Sequence, residues 1–115
     1  VDNRARLPQP WKNYPVLHPG EFKTEIVYVN GREHAKIHIG QQDGVWTVGY
    51  DFYVGNHGGD CYPGRKWGDF VTEQDAKLWA LGFLLTLDTE DDPLPAAVKK
   101  AINTRIFEIR QYKLF

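Results

Sequence analysis

This sequence has a single cysteine, almost no net charge and no long hydrophobic run. Cys61 is the single cysteine among 115 residues, which excludes an intrachain disulfide and a cysteine-rich metal site. The formal net charge is -1, so no overall electrostatic field marks the chain as a nucleic-acid or membrane binder. No apolar run approaches the ~20 residues of a membrane helix. We therefore expect a cytoplasmic protein that does not contact a membrane.

What the chain does contain is typical of a folded domain. Hydrophobic residues make up 42% and aromatic residues 14%, enough bulky side chains for a real core. We predict one α+β domain over residues 21–115. Residues 1–20 are expected to form an extended proline-rich arm or the end of an interdomain linker, because proline disfavours helix and sheet. The prolines of this arm are Pro8, Pro10, Pro15 and Pro19.

An alternation of period two begins at Phe22 and predicts strands. Asn30-Gly31 and Asp43-Gly44 are the preferred two-residue hairpin turns, and they separate residues 22–29, 32–41 and 45–54. Two such turns in succession predict a three-stranded antiparallel β-meander.

The turns also predict the register. A turn at Asn30-Gly31 places Val29 opposite Arg32, and a turn at Asp43-Gly44 places Gln42 opposite Val45. The apolar residues of all three strands then share one face, and the opposite face is polar and open. The inward set is Phe22, Thr24, Ile26, Ala35, Ile37, Ile39, Val48, Tyr50 and Phe52.

Two helices follow a predicted loop at residues 55–69, which holds five glycines and a proline. Thr72 is a suitable N-cap for the first helix. Asp92 and Pro93 suit the start of the second. Both helices carry one apolar stripe, so we expect them to pack on one face of the sheet.

Candidate chemistry concentrates on the open face and in the loop. His34 and His38 share a face, but on a strand they stand ~13 Å apart and cannot bind one ion. No metal site or cofactor is therefore predicted. In the loop, glycines beside Arg65 and Lys66 suit an anion, although the spacing matches no phosphate-binding motif, and the same residues suit a simple connector.

Catalytic alternatives also fall in and around the loop. Cys61 near His57 is a possible nucleophile, although no recognisable motif flanks it. A metal-dependent hydrolase or nuclease would use Asp51, His57, Asp60 and Asp69, with Lys66 assisting. That set requires three separate segments to converge.

Two resemblances are carried by particular residues. The β-β-β unit, the glycine-bearing loop and the pattern of Phe70, Thr72 and Ala76 opening a helix are similar to small domains of phage and mobile-element proteins. The Asn30-Gly31 hairpin followed by residues 72–85 more distantly resembles a double-stranded-RNA-binding domain. The first resemblance implies an accessory or host-interaction role, and the second implies binding to RNA.

Together these patterns favour a non-enzymatic binding module. We expect the open sheet face and the 55–69 loop to contact a protein partner, or alternatively a nucleic acid. A homodimer formed through the polar face or an edge strand is a second hypothesis, and the small hydrolase is a third. The predicted contact residues are Lys23, His34, Lys36, His38, Asp51, Tyr53, His57, Arg65, Lys66 and Trp67.

Overall fold

The computed structural model of the chain describes residues 16–113. Within that range an antiparallel sheet of order β1-β2-β3-β4 carries two helices, which confirms the α+β class. Most of the predicted arm, residues 1–20, lies outside the described range. The elements are β1 (Phe22–Asn30), β2 (Glu33–Gln42), β3 (Val45–Val54), β4 (His57–Gly64), a 3-10 turn (Arg65–Trp67), α1 (Glu73–Leu85) and α2 (Ala96–Lys113).

The prediction of three strands is wrong, because part of the expected 55–69 loop forms β4. Val54 pairs with His57 across a two-residue turn at Gly55-Asn56, in which Gly55 has a φ of 59°. A positive φ at the first turn position is what glycine supplies in a tight hairpin. The glycines of the strand itself resemble loop residues and conceal the pairing in the sequence.

The hairpin between β2 and β3 has the predicted register. Gln42 pairs with Val45, and further along Ile37 pairs with Tyr50. Asp43 adopts a φ of 55°, the left-handed conformation that this type of turn requires. Ile37 is fully buried beneath the helices.

The predicted register of the hairpin between β1 and β2 is wrong. The turn lies one residue later, with Asn30 paired to Glu33, and an irregularity at Val27 changes the offset again. Glu25 therefore faces Ile37, and its side chain points toward the helices. A one-residue shift exchanges the two faces of a strand. Thr24 and Ile26, predicted to point inward, thus lie on the face away from the helices.

Local capping explains where the helices begin. Thr72 caps α1 as predicted, its hydroxyl accepting a hydrogen bond from the Asp75 N–H at 3.1 Å. The second helix begins at Ala96, later than the predicted Pro93. Leu94 precedes Pro95, and a residue before proline is disfavoured in helical conformation. The helix therefore starts only after this second proline, whose carbonyl accepts its first bonds.

The core lies between the sheet and both helices. Phe52 and Ile37 of the sheet pack against Leu81 and Leu84 of α1 and Ile102 of α2, all nearly inaccessible to solvent. This single layer of helices leaves the other side of the sheet, called here the outer face, without a helix in the described part of the chain.

Residues 16–21, called here the crossing segment, cover one end of the outer face. The segment starts at the edge of β4, where Val16 pairs with Gly64, and ends at the start of β1. Because β1 and β4 are opposite edges of the sheet, the segment crosses all the strands. Leu17 is buried over Gly40 on the way. No other described residue outside the strands covers the rest of the outer face.

Candidate functional site

The open part of the outer face forms the candidate site. Cross-strand pairing places Ile26, Lys36, Asp51 and Asp60 in one row. The next row holds Val29, His34, Tyr53 and Gly58. We call the set of Ile26, Val29, His34, Lys36, Asp51, Tyr53, Asp60 and Tyr62 the docking face.

Four large apolar side chains of this face are exposed to solvent. Ile26 is 59% exposed, Val29 62%, Tyr53 48% and Tyr62 41%. Within residues 16–113 only Val71 and Phe107 are large apolar residues exposed to a similar degree, and both lie outside the four strands. Several exposed apolar side chains on one face of a sheet suit an interaction surface.

The centre of the docking face is polar. The Nε2 atom of His34 lies 2.9 Å from Oδ1 of Asp51, and its Nδ1 atom lies 3.0 Å from the carbonyl oxygen of Arg32. The ring of Tyr53 is 6.3 Å from the His34 ring. Lys36 and Asp60 make no hydrogen bond or ion pair to any described residue, so both charges are available to a partner.

His38 lies on the predicted side of the sheet but is not accessible. It is 8% exposed, against the Phe22 ring at 4.7 Å and the Thr24 hydroxyl at 2.9 Å. Burial lowers the pKa of His38, although the nearby Asp51 and Asp60 carboxylates partly oppose this. The crossing segment and Phe22 thus make His38 part of the packing.

Lys23 lies on the opposite side of β1 from its predicted place, because of the shifted register. Its Nζ atom is 3.0 Å from Glu73 at the start of α1. Glu73 also pairs with Lys77, which in turn lies 3.3 Å from Glu25. Lys23 therefore belongs to an ion-pair network between β1 and the helices, and it is not on the docking face.

Arg65 is engaged within the fold. It donates two hydrogen bonds of 2.8 Å to Asp69, whose side chain is buried, and lies 3.4 Å from Asp43. This bidentate contact ties the 3-10 turn to the segment leading into α1. An arginine held in this way does not match the free anion-binding group that the sequence suggested.

The other predicted loop residues also contact the fold. Nε2 of His57 donates to the Asp92 carbonyl at 2.9 Å, and the His57 ring packs against Phe52. Lys66 lies over the Trp67 ring at 5.6 Å. Trp67 joins an aromatic cluster with Tyr50, Trp79 and Phe83. These residues lie on the helix side of the sheet or beside it, away from the docking face.

The hydrolase set is not brought together. Asp51 and Asp60 are cross-strand partners on the outer face, but His57 points to the helix side and Asp69 is buried against Arg65. Among residues 16–113 no group of three histidine, cysteine or acidic side chains is placed to hold a metal ion. The Cys61 thiol faces the helices beside Trp67, and burial raises its pKa.

Sequence reasoning missed four residues of the docking face. Ile26 was expected inside, and Asp60 and Tyr62 were expected in a loop. Val29 was expected on the polar face but is not among the predicted contact residues. The Gly55-Asn56 pair between Val54 and His57 is a hairpin signal that could have revealed β4 and its outward residues.

Comparison with known proteins finds no match to any family model, to any curated protein or to any solved structure. In the described range no helix is both long and apolar enough to span a membrane. The proposed function must therefore rest mainly on the geometry of the docking face.

Proposed function

We propose that this chain is a non-enzymatic binding module whose docking face binds a protein partner. One observation carries the proposal: the helices and the crossing segment leave exposed a continuous sheet surface, and most of the exposed large apolar residues of the described chain lie on it. Exposed apolar side chains beside polar groups provide both buried area and orientation for a partner.

The charges of the docking face favour a protein over a nucleic acid. Lys36 is the one cation in a row that also holds the Asp51 and Asp60 carboxylates, so the docking face has no excess of positive charge. Phosphate backbones are bound by surfaces with an excess of cations. The matching partner surface is apolar and carries one carboxylate opposite Lys36 and one cationic side chain opposite Asp60.

Tyr53 is the expected energetic centre of this surface. Its aromatic ring is half exposed between the Val29 side and the β4 edge, beside the His34–Asp51 pair. Tyrosine is enriched among the interface residues that contribute most to binding, and truncating such a residue costs ~2 kcal/mol or more. The affinity loss for Tyr53→Ala is thus about 30-fold.

An accessory role, in which the module recruits or blocks another protein, would fit the pattern of residues that resembles small phage and mobile-element domains. No contact or cluster in the described residues favours the hydrolase hypothesis over binding. In its edge-strand form, the homodimer hypothesis concerns the edge of β1 and not the centre of the docking face.

The experiment begins by identifying the partner through position-specific photo-crosslinking. A photoreactive phenylalanine analogue at position 53 should capture the partner, and the same analogue at position 71 should not. Val71 is 71% exposed but lies outside the sheet, so it controls for exposure. The captured protein is then purified and its affinity measured by calorimetry.

Three variants decide the outcome. Tyr53→Ala and Lys36→Glu should each weaken binding by at least tenfold, whereas Val71→Ala should bind like the wild type. Melting temperatures should change little, since the three side chains are partly or largely exposed. Equal affinity of all four proteins would contradict the proposal.

A further inference from the structure

A groove of about 700 Å³ runs between strand β1 and helix α2, on a different part of the molecule from the centre of the docking face. One wall is the β1 segment at Glu25, Ile26 and Val27. The other wall is the exposed side of α2 around Lys100 and Thr104. The groove is open to solvent along its length.

The β1 wall is an unpaired sheet edge. Within the described residues β1 pairs with β2 alone, whereas the edge of β4 is partly covered by Val16. An edge strand directs alternate backbone N–H and C=O groups outward, where another strand can bind them. An extended strand is therefore an occupant that this edge can bind.

The charged residues of the α2 wall indicate which element would lie beside a strand bound at the β1 edge. Lys100 lies four residues before Thr104, and Glu108 lies four residues after it, on the same side of the helix. An antiparallel copy of α2 centred on Thr104 brings each Lys100 against Glu108 of the other copy. Lys100 has no ion pair within the described chain, and Glu108 contacts only Arg105, at 3.5 Å.

Strand β1 can pair with a second copy of itself around a centre that lies next to the centre of the helix pair. Arg105, next to Thr104, bonds to Glu25, next to Ile26, so the two proposed centres lie side by side. An antiparallel pair of β1 strands centred on Ile26 places Glu25 opposite Val27 and Thr24 opposite Tyr28. No like charges meet in this register, and one two-fold axis could relate both the strands and the helices of two copies.

We propose that the chain forms a two-fold dimer through this groove, with β1 pairing to β1 and α2 packing against α2 of a second copy. The inference does not depend on the proposed function, because Tyr53 and Lys36 stay outside the interface. In the dimer the two sheets join edge to edge, and the two docking faces form one continuous surface.

The test exchanges the charges of the helix pair. Sedimentation should give the wild type a mass of twice 13.3 kDa. Lys100→Glu alone and Glu108→Lys alone should each dissociate at least tenfold more readily, since each puts two like-charge contacts into the dimer. Mixing the two variants should restore the dimer, because every contact across the axis is then attractive.

Each result is decisive. A dimer with a dissociation constant above ~1 mM would be held by less than ~4 kcal/mol. A wild type that stays monomeric at protein concentrations up to ~1 mM would overturn the proposal. So would single variants that dimerise like the wild type, or a mixture of them that remains monomeric. Circular dichroism checks that the variants fold, and both substituted side chains are exposed. Partner affinity of the variants tests the docking face separately.

Discussion

Replacing Glu25 with glutamine removes the carboxylate that joins β1 to both helices. Arg105 of α2 donates two hydrogen bonds to this carboxylate, including Nη2 to Oε1 at 3.1 Å. Lys77 of α1 lies 3.3 Å from the same group. Glutamine keeps the size of the side chain and one acceptor oxygen, so the substitution isolates the loss of charge.

The expected loss of stability follows from how exposed the Glu25 and Arg105 side chains are. Hydrogen bonds to charged groups contribute ~1.5–3 kcal/mol, whereas fully exposed ion pairs contribute ~0–1 kcal/mol. The Glu25 side chain is 23% exposed and that of Arg105 is 33%. Between these limits we expect Glu25→Gln to lower the free energy of unfolding by about 2 kcal/mol, or the melting temperature by about 8 °C.

The effect must also depend on pH. Burial alone would raise the pKa of Glu25, but the hydrogen bonds and charge of Arg105, together with Lys77, outweigh it and hold the pKa below its ordinary value of 4.5. The unfolded chain then takes up the proton first. The stabilisation is complete above pH 4.5 and is lost as the pH falls through the folded-state pKa.

Urea unfolding of both proteins at pH 7 and at pH 3 measures these quantities. The difference between wild type and Glu25→Gln should be largest at pH 7 and shrink at pH 3. Glu90→Gln is the matched control, since Glu90 is exposed and makes no hydrogen bond or ion pair to a described residue. Equal stability of Glu25→Gln and wild type at pH 7, or a difference unchanged at pH 3, would refute the reasoning.

Two further predictions concern glycine and histidine. Gly49→Ala should destabilise the fold by ~2 kcal/mol or more, because the added Cβ would lie 2.7 Å from the backbone nitrogen of Pro63. Gly82→Ala in α1 meets open space and should stabilise by ~0.5–1 kcal/mol, so equal urea midpoints for the two variants would contradict this explanation. Burial lowers the pKa of His38 below 6.5, so the unfolded state gains a proton first and stability should fall as the pH drops from 6.5 through the folded-state pKa. His38→Gln should flatten that part of the stability profile, and an unchanged slope would show that another group is responsible.

Two local sequence patterns, a turn pair and a helix cap, correctly predicted the parts of the structure around them. Asp43-Gly44 specified its turn and the register of β2 against β3, so that Lys36 and Asp51 were correctly paired. Thr72 specified the start of α1. In each case the hydrogen bonds or backbone angles that decide the outcome belong to neighbouring residues, and distant parts of the chain do not alter them.

The candidate site was predicted only in part, because its members depend on β1 and β4. Lys36, Asp51 and Tyr53 lie on β2 and β3 and reached the surface as expected. His38 was expected on the surface, and nothing near it in the sequence indicates that residues 16–21 cover its end of the sheet. Ile26 was expected in the core, and Tyr62 was expected in a loop.

The sequence by itself determined the α+β class, the hairpin between β2 and β3, and the apolar stripes of both helices, because short-range hydrogen bonding and periodicity suffice for each. Only the tertiary structure decided which face of β1 is buried. Moving the turn from Asn30-Gly31 to Gly31-Arg32 shifts the pairing by two residues, which leaves the two faces of β1 unchanged. The irregularity at Val27 shifts it back by one residue and exchanges the faces for residues 22–26. The observed register is the one that directs Glu25 to Arg105 and Lys23 to Glu73, contacts that no local pattern encodes.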